Sequence, residues 1–449
     1  MSVFNRDEAD DFSRGARSLI IFPQIGITSL SPEHRLEEAR GLANAIGLHV
    51  VEAKHYRVRS PKAATLLGGG QVQEIAETIE REKIELLIID GSLSAIQQRN
   101  LEEKTGAKTI DRTGLILEIF GERAATAEGR LQVELAHLDY QAGRLVRSWT
   151  HLERQRGGFG FLGGPGETQI EADRRMIRDR MAKLRRELSE VKRTRSLHRD
   201  RRQRAPWPTI ALVGYTNAGK STLFNRLTLG DVMAEDMLFA TLDPTMREIE
   251  LPGIEKAILS DTVGFVSDLP TQLVAAFRAT LEEVISADLI LHVRDIAHPA
   301  TDEQRKDVLT IMEELLGHEG SDSDPVNGTA IGGRRIIELW NKIDLLPAQR
   351  REELSDIVSQ NDHIHMLSAH SGEGCDALRD LLSAQLKREN IERALTLPVS
   401  AGAAIAWLHQ KGDVIGIEER GESVLLRASL SLQAWGQFDK QFAAFPATE

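Results

Sequence analysis

A glycine-rich segment over residues 214–221, GYTNAGKS, contains the residue types that bind phosphate groups in proteins. It fits the pattern G-x-x-x-x-G-K-[ST], and it lies between an apolar run at 210–213 and a helical run at 222–227. Glycines let successive backbone N–H groups face a phosphate, and the helix N-terminus adds a favourable dipole. We therefore predict that Lys220 contacts the β- and γ-phosphates and that Ser221 binds Mg²⁺. The loop residues predicted to contact the nucleotide are Gly214, Tyr215, Thr216, Asn217, Ala218, Gly219, Lys220, Ser221 and Thr222.

Three further motifs follow in the order typical of a guanine-nucleotide site. DTVG at 261–264 ends an apolar run, and we expect Asp261 to hold Mg²⁺ through water and the Gly264 amide to sense the γ-phosphate. NKID at 341–344 supplies a carboxylate that accepts from guanine N1–H and the 2-amino group, which adenine does not offer as a pair. A backbone N–H at 368–369 would support the base, so the motifs together predict GTP rather than ATP. The residues in these motifs are Asp261, Thr262, Val263, Gly264, Asn341, Lys342, Ile343, Asp344, Ser368 and Ala369.

The segment FATLDPT at 239–245 is the predicted first switch. One of its two threonines would complete the Mg²⁺ shell when GTP is bound; we favour Thr241, with Thr245 as the alternative. A helix over 270–286 would serve as the second switch. The metal ligands are then Ser221, Thr241 and Asp261, and the catalytic set is Lys220, Thr241 and Gly264. The switch residues expected to contact the nucleotide are Phe239, Ala240, Thr241, Leu242 and Asp243.

The elements that position these residues belong to an α/β protein. Over 18–120, short apolar runs such as 19–22, 48–53 and 86–90 alternate with helical stretches, one of them capped by Ser31. This alternation predicts an α/β N-terminal domain. The P-loop region has the same alternation and reaches about residue 388, with an inserted loop at 317–333.

Two heptad patterns lie between these α/β regions. Leucines and other apolar residues repeat over 131–152 and again over 170–191, on either side of a glycine-rich loop at 156–169. They predict a long antiparallel helical hairpin. Residues 395–449 predict a small strand-helix-strand-strand-helix domain. The domains are then a flexible 1–17, an α/β domain at 18–120, the hairpin at 121–205, a G domain at 206–388 and a small α+β domain at 389–449.

Composition limits the class of protein. The 449 residues include one cysteine, which excludes a disulfide framework, and no apolar run approaches the roughly 18–20 residues that span a bilayer. The histidines show no metal-ligand spacing. The chain carries a net charge of −12, yet residues 174–204, the basic arm, hold fourteen Lys/Arg and four acidic residues. A basic arm of this kind can bind a polyanion even though the rest of the chain is acidic. These features favour a cytoplasmic protein and leave peripheral membrane association open.

The motifs resemble those of the HflX family of ribosome-associated P-loop GTPases. The resemblance rests on GYTNAGKS, FATLDP, DTVGF, NKID and SAHSGEG, on GGPGETQIE in the glycine-rich loop, and on the stretch around Gly68. It covers about residues 18–385. It implies GTP hydrolysis, binding to the large (50S) ribosomal subunit, and in some members the splitting of stalled ribosomes under stress. It also implies that the N-terminal domain and the hairpin lie near ribosomal RNA.

Two residues bear on catalysis. Phe265 follows Gly264 where many GTPases have a water-positioning glutamine, so intrinsic hydrolysis should be slow and should depend on a partner. Asn217 resembles the P-loop asparagine of GTPases that use K⁺ in place of an arginine finger. The alternative is that Asn217 only stabilises the loop.

Other functions remain open at the level of sequence. One is a GTPase component of an RNA-modification system, although the terminal FPATE differs from the cysteine-bearing end of those proteins. Another is an RNA-remodelling module in which hydrolysis is incidental. A third is a second nucleotide site at the glycine triplet 68–70, which lacks a following Lys-Ser/Thr. We expect a monomer, and the sequence assigns no role to residues 389–449.

Overall fold

The computed structural model describes residues 14–26, 30–155, 174–191, 207–228, 230, 238–239, 241–242, 244–268, 283–316, 330–331, 334–387, 391–421, 423–430 and 432–442. The predicted glycine-rich loop, most of the predicted second-switch helix and most of the 317–333 insertion lie outside these residues. So do Ala240 and Asp243 of the predicted first switch.

The N-terminal domain is a parallel sheet with connecting helices, as predicted. Its strands lie in the order β2-β1-β3-β4, and all pairs are parallel. Strand β1 is buried along most of its length, because both faces of a parallel sheet are covered by helices. The elements are β1 (Arg17–Gln24), α1 (Pro32–Ala45), β2 (His49–Arg57), α2 (Gly69–Glu82), β3 (Leu86–Ile89), α3 (Ala95–Thr105), β4 (Lys108–Asp111) and α4 (Arg112–Arg123).

Local sequence explains where two of these helices begin. Ser31 is the N-cap of α1, and its side chain accepts a hydrogen bond from the His34 N–H, as predicted. The glycine triplet is itself a helix start: Gly68 caps α2, and its N–H donates to the Gln71 side chain at 2.9 Å. The backbone N–H of Gly68 is therefore already used in a hydrogen bond. The expected flexible segment 1–17 is too long by at least two residues, because Ala16 is buried and Arg17 opens β1.

The hairpin consists of α5 (Ala127–Gln155) and α6 (residues 174–191). Arg180 of α6 pairs with Glu134 of α5, with Arg180 Nε donating to Glu134 Oε1 at 2.7 Å. Met181 and Leu184 are buried at the predicted heptad positions. Within the described ranges, no helix has both the length and the apolar character needed to cross a membrane.

The G domain is a mixed sheet in the order β11-β10-β8-β5-β7-β6, with β9 beside β10. On this path only β6 runs antiparallel to its neighbour. The elements are β5 (Thr209–Gly214), α7 (Lys220–Thr228), β6 (Thr245–Leu251), β7 (Ile254–Asp261), α8 (residues 283–286), β8 (Leu289–Asp295), α9 (Thr301–Leu316), β9 (Ala330–Ile331), β10 (Arg334–Asn341), α10 (Ala348–Ser359), β11 (Ile364–Met366) and α11 (Cys375–Lys387). Because ligands bind at the carboxyl ends of strands in such sheets, the motifs that follow β5, β7 and β10 meet at one edge.

The C-terminal domain has the predicted strand-helix-strand-strand-helix order. It forms an antiparallel sheet, β12-β14-β13, around its own hydrophobic cluster, which includes Trp435 and Phe438. The elements are β12 (Ile391–Pro398), α12 (Gly402–Lys411), β13 (Asp413–Arg420), β14 (Ser423–Leu430) and α13 (Leu432–Gln441).

The N-terminal domain and the G domain share one hydrophobic cluster. It joins Leu42 and Phe120 of the N-terminal domain to Phe239 and Phe265 of the G domain. The rings of Phe120 and Phe239 meet edge to face with centroids 4.8 Å apart, a favourable aromatic geometry. Phe239 of the predicted first switch packs directly on the N-terminal domain, and Phe265 lies in the same cluster.

Candidate guanine-nucleotide site

The phosphate-binding loop connects the end of β5 to the start of α7, as predicted. Lys220, at the first position of α7, is 6% exposed, and its Nζ donates to the carbonyl oxygens of Gly214 at 3.1 Å and Tyr215 at 2.8 Å. Burial lowers the pKa of Lys220 to about 8, against the opposing influence of the Asp261 carboxylate. An anion bound in the loop would restore the charged ammonium.

Gly219 allows the loop to approach the base-recognition motif closely. Its φ of +94° is in the left-handed region, and a β-carbon there would lie 2.2 Å from Asn341 Nδ2. That nitrogen donates to the Ala218 carbonyl at 2.8 Å, and Asn341 Oδ1 accepts from the Ala369 N–H at 2.9 Å. Asn341 therefore joins three of the predicted motifs, and a larger residue at 219 would separate them.

Three oxygen-bearing side chains meet beside Lys220. Asp261 Oδ2 accepts from Ser221 Oγ at 2.7 Å and from Thr241 Oγ1 at 3.0 Å, and the two hydroxyl oxygens are 2.9 Å apart. Asp261 Oδ1 is buried and has no hydrogen-bond partner among the described residues. Burial raises the pKa of Asp261 in this arrangement, so the carboxylate would gain from a cation. Carboxylate and hydroxyl oxygens are ligands suited to Mg²⁺, and these three fit that ion.

Thr245, the alternative to Thr241, is the first residue of β6 and lies opposite Asp261 in the antiparallel ladder. The Thr241 hydroxyl contacts both of the other predicted metal ligands: it lies 2.9 Å from Ser221 Oγ and 3.0 Å from Asp261 Oδ2.

The segment after Asp261 is hydrogen-bonded to the phosphate-binding loop. The Phe265 N–H donates to the Gly214 carbonyl at 3.1 Å, and the Thr216 N–H donates to the Phe265 carbonyl at 2.8 Å. Gly264 lies so close that a β-carbon on it would be 2.8 Å from Thr216 Cα and 3.0 Å from Lys220 Nζ. Phe265 itself is 2% exposed and belongs to the shared hydrophobic cluster. Its ring is turned into the core.

At the base end, Lys342 has a left-handed φ of +65° and pairs with Asp295 at 2.8 Å. Asp344 is exposed in a 3₁₀ turn over 343–345, whereas Ile343 is buried. Ser368 and Ala369 are buried beside Asn341.

Sequence reasoning missed two residues at this end. Asp295 ends the apolar strand β8 just as Asp261 ends β7, a signal that could have been used. Arg226 of α7 donates from Nε to the Ala369 carbonyl at 2.6 Å and from Nη2 to the His370 carbonyl. No motif marks Arg226.

Three residues predicted to contact the nucleotide direct their side chains toward the N-terminal domain or into the shared hydrophobic cluster. Phe239 is 2% exposed and packs on Phe120, and Leu242 is 8% exposed in the same cluster. The Tyr215 hydroxyl bonds to Glu38 of α1. Only the backbones of these residues remain available to a nucleotide, because their side chains are used for packing between domains. Asn217, by contrast, is exposed with a φ of +59°.

The sheet, the phosphate-binding loop and the joined base-recognition motifs define a P-loop GTPase. Comparisons with known proteins agree along the chain. Residues 33–121 match the family described as GTP-binding GTPase N-terminal, residues 123–202 match GTP-binding GTPase Middle Region, and residues 209–324 match 50S ribosome-binding GTPase.

Three bacterial relatives, each described as GTPase HflX, match over most of their length. The Magnetococcus marinus protein is 46% identical, over 92% of this chain and 91% of its own. The Escherichia coli protein is 39% identical, over 96% and 97%. The Caldanaerobacter subterraneus protein is 40% identical, over 89% and 88%. The chain belongs to the HflX family of GTPases, and the predicted activity, GTP hydrolysis, is confirmed.

Proposed function

We propose that this GTPase binds the 50S ribosomal subunit and its RNA, and that it splits or rescues stalled ribosomes under stress in a nucleotide-dependent way. The observation that carries the proposal is the packing of the first-switch residue Phe239 on Phe120 of the N-terminal domain, two residues from Thr241. A change of nucleotide that moves Thr241 also moves a surface on which the N-terminal domain rests.

The geometry supports the following roles in the nucleotide site. Lys220 binds the β- and γ-phosphates, the Gly264 N–H senses the γ-phosphate, and Asp344 reads guanine. Ser221, Thr241 and Asp261 hold Mg²⁺, which supplies neutralisation of the phosphate charge when it is bound. Support comes from the convergence of these three side chains within 3.0 Å of one another. Asp261 Oδ1, which has no hydrogen-bond partner among the described residues, supports the same assignment.

Hydrolysis depends on a partner in this proposal. The buried Phe265 ring cannot orient an attacking water, so another group has to supply order or charge in the transition state. The exposed, left-handed Asn217 would bind K⁺ as one such source of charge. If Asn217 only stabilises the loop, K⁺ and Na⁺ will support equal turnover.

The hairpin supplies the contact with ribosomal RNA. On α6 the exposed basic residues are Arg175, Arg178, Lys183, Arg185 and Arg186. Lysine and arginine on one helix bind phosphate backbones, and this binding weakens steeply as salt rises. The acidic remainder of the chain restricts such contact to the basic arm. We place the protein in the cytoplasm as a monomer, since a switch acting on a large particle needs no second copy.

The test is GTP turnover by the purified protein alone, with 50S subunits and with 70S ribosomes, in K⁺ and in Na⁺ buffers. Slow intrinsic turnover with a large stimulation by ribosomal particles is the expected result. Lys220→Ala is the matched control, because it removes the phosphate contact and should abolish stimulated turnover. Normal GTP affinity without stimulation would contradict the proposal and favour a role in RNA modification or remodelling.

The switch itself is tested by binding. We expect ribosome affinity to differ between the GDP complex and the complex with a non-hydrolysable GTP analogue. Equal affinity in the two states would contradict the nucleotide-dependent part of the proposal.

A further inference from the structure

Ser267, three residues after Gly264, is held by side chains of the N-terminal domain. Its Oγ accepts from Arg35 Nη1 at 2.8 Å and donates to Glu38 Oε2, and its carbonyl accepts from Arg112 Nη2 at 2.9 Å. Its N–H donates to Glu38 Oε1 at 3.2 Å and to the Tyr215 hydroxyl oxygen at 2.7 Å. Asp268 extends the contact by pairing with Arg35 at 2.6 Å.

Glu38 holds a second part of the GTP site at the same time. Its Oε1 accepts from the hydroxyl of Tyr215, which is in the phosphate-binding loop. One carboxylate of helix α1 thus contacts both the loop that binds phosphate and the segment that follows the γ-phosphate sensor Gly264.

The chemistry of this cluster makes the contact specific. The side chains of Glu38, Arg112 and Asp90 are 8%, 3% and 1% exposed. Burial alone would raise the pKa of Glu38, but Arg112, Ser267 and Tyr215 hold it below its ordinary value, so Glu38 is ionised. Arg112 contacts Glu38 at 2.8 Å and Asp90 at 2.6 Å. A buried charge tolerates few geometries, since losing a partner leaves the others unpaired.

The position of Gly264 indicates which nucleotide state this cluster favours. A γ-phosphate contacts both the P-loop lysine and the N–H of the sensor glycine, so it has to enter between them. In the structure a β-carbon on Gly264 would be only 3.0 Å from Lys220 Nζ, and the Phe265 carbonyl holds the Thr216 N–H. Both backbone groups of Phe265 are hydrogen-bonded to the loop, so entry of a γ-phosphate requires the segment 264–267 to move, whereas GDP makes no such demand. The Thr241 hydroxyl already contacts Ser221 and Asp261, so it is this segment, and not the first switch, that has to change for GTP.

We propose that Glu38 is a positioning residue of the GTP site that the N-terminal domain supplies, and that it favours GDP over GTP by holding Tyr215 and Ser267 together. This inference rests on the proposed function of the same site. Because coupling between sites is reciprocal, anything that pulls α1 from the G domain raises the affinity for GTP, and GTP loosens the N-terminal domain. A ribosomal surface that engages the N-terminal domain is such a partner.

The experiment compares Glu38→Gln with Glu37→Gln in the full-length protein. Glu37 is the neighbouring residue of α1 and is exposed, so its variant controls for the loss of one charge. Dissociation constants for GDP and for a non-hydrolysable GTP analogue are measured by fluorescence. We expect Glu38→Gln to shift the GTP-to-GDP affinity ratio toward GTP by about fivefold or more, within the usual range of coupling. Glu37→Gln should keep the wild-type ratio.

A ratio is used because partial unfolding weakens both ligands equally and leaves it unchanged. If Glu38→Gln fails to fold, Tyr215→Phe decides, since it removes a single hydroxyl and keeps the Glu38–Arg112 pair. Its ratio should shift in the same direction. A wild-type ratio in a folded variant overturns the role of Glu38, while normal wild-type turnover and ribosome binding in the same preparation would leave the proposed function intact. Wild-type protein without ribosome-stimulated turnover would instead count against that function.

Discussion

Thr241 and Thr245 offer a matched pair of substitutions for the metal site. Thr241→Val and Thr245→Val each keep a β-branched side chain and remove one hydroxyl. We expect only Thr241→Val to weaken Mg²⁺ binding in the presence of a GTP analogue, because the Thr241 hydroxyl contacts both Ser221 and Asp261.

The magnitude is that of one polar contact to a charged group, here the contact that the Thr241 hydroxyl would make to the ion. A hydrogen bond to a charged group contributes about 1.5–3 kcal/mol, and each 1.4 kcal/mol is a factor of about ten in affinity. The hydroxyl of Thr241 lies 3.0 Å from the Asp261 carboxylate and would share its cation. Thr241→Val should therefore raise the Mg²⁺ concentration needed for half-maximal binding of the analogue by about 10- to 100-fold.

The assay is an Mg²⁺ titration of analogue binding, with GDP binding titrated in parallel. Thr245→Val should stay within about threefold of wild type, since it changes no bond to the ion and keeps a residue suited to a strand. The reasoning is refuted if the two variants shift the midpoint equally, or if Thr245→Val has the larger effect.

Three further results are expected. Burial lowers the pKa of Lys220 to about 8, and bound phosphate should restore its charge, so GDP binding should be accompanied by proton uptake. Calorimetry in buffers of different ionisation heat should show uptake of roughly 0.7 proton per GDP at pH 8.5 and about 0.1 at pH 7. Equal uptake at the two pH values would contradict this. Phe265→Gln should lower the free energy of unfolding by about 3 kcal/mol in urea without raising GTP turnover, because position 265 faces the core; faster turnover would refute that orientation. Burial, Asp268 and Glu38 raise the pKa of Asp307 to about 6 from 3.8, so its favourable contribution is present below pH 4 and is lost as the pH rises through 6. Asp307→Asn should then stabilise the fold by about 1 kcal/mol at pH 8, a value discounted for partial exposure, and by nothing at pH 4; a constant difference in urea unfolding would contradict this.

The fold and the centre of the site could be predicted because their signals are local. The glycine spacing at 214–221, the cap at Ser31 and the strand that ends at Asp261 are each encoded within a few residues. Heptad spacing likewise predicted both hairpin helices. Such patterns depend on backbone geometry and burial, which act over one or two turns.

The contacts between domains could not be predicted, because they join residues far apart in sequence. Glu38 and Ser267 are separated by 229 positions, and no motif marks either. The same limit explains why the sequence did not indicate where the side chains of Phe239 and Leu242 lie. Both follow the expected switch pattern, but burial in the shared hydrophobic cluster decided where their side chains lie.

The shared hydrophobic cluster has a consequence for how the chain is made. Phe120 leaves the ribosome about 120 residues before Phe239, its partner in the G domain. At a synthesis rate of roughly 5–20 residues per second, the apolar face of the N-terminal domain stays exposed for about 6–25 s before the G-domain residues that cover it are made. During that interval the nascent chain exposes a surface on which chaperones can act and aggregation can begin. Synonymous codon changes that slow translation between these positions should therefore lower the yield of soluble protein more than the same changes after residue 266.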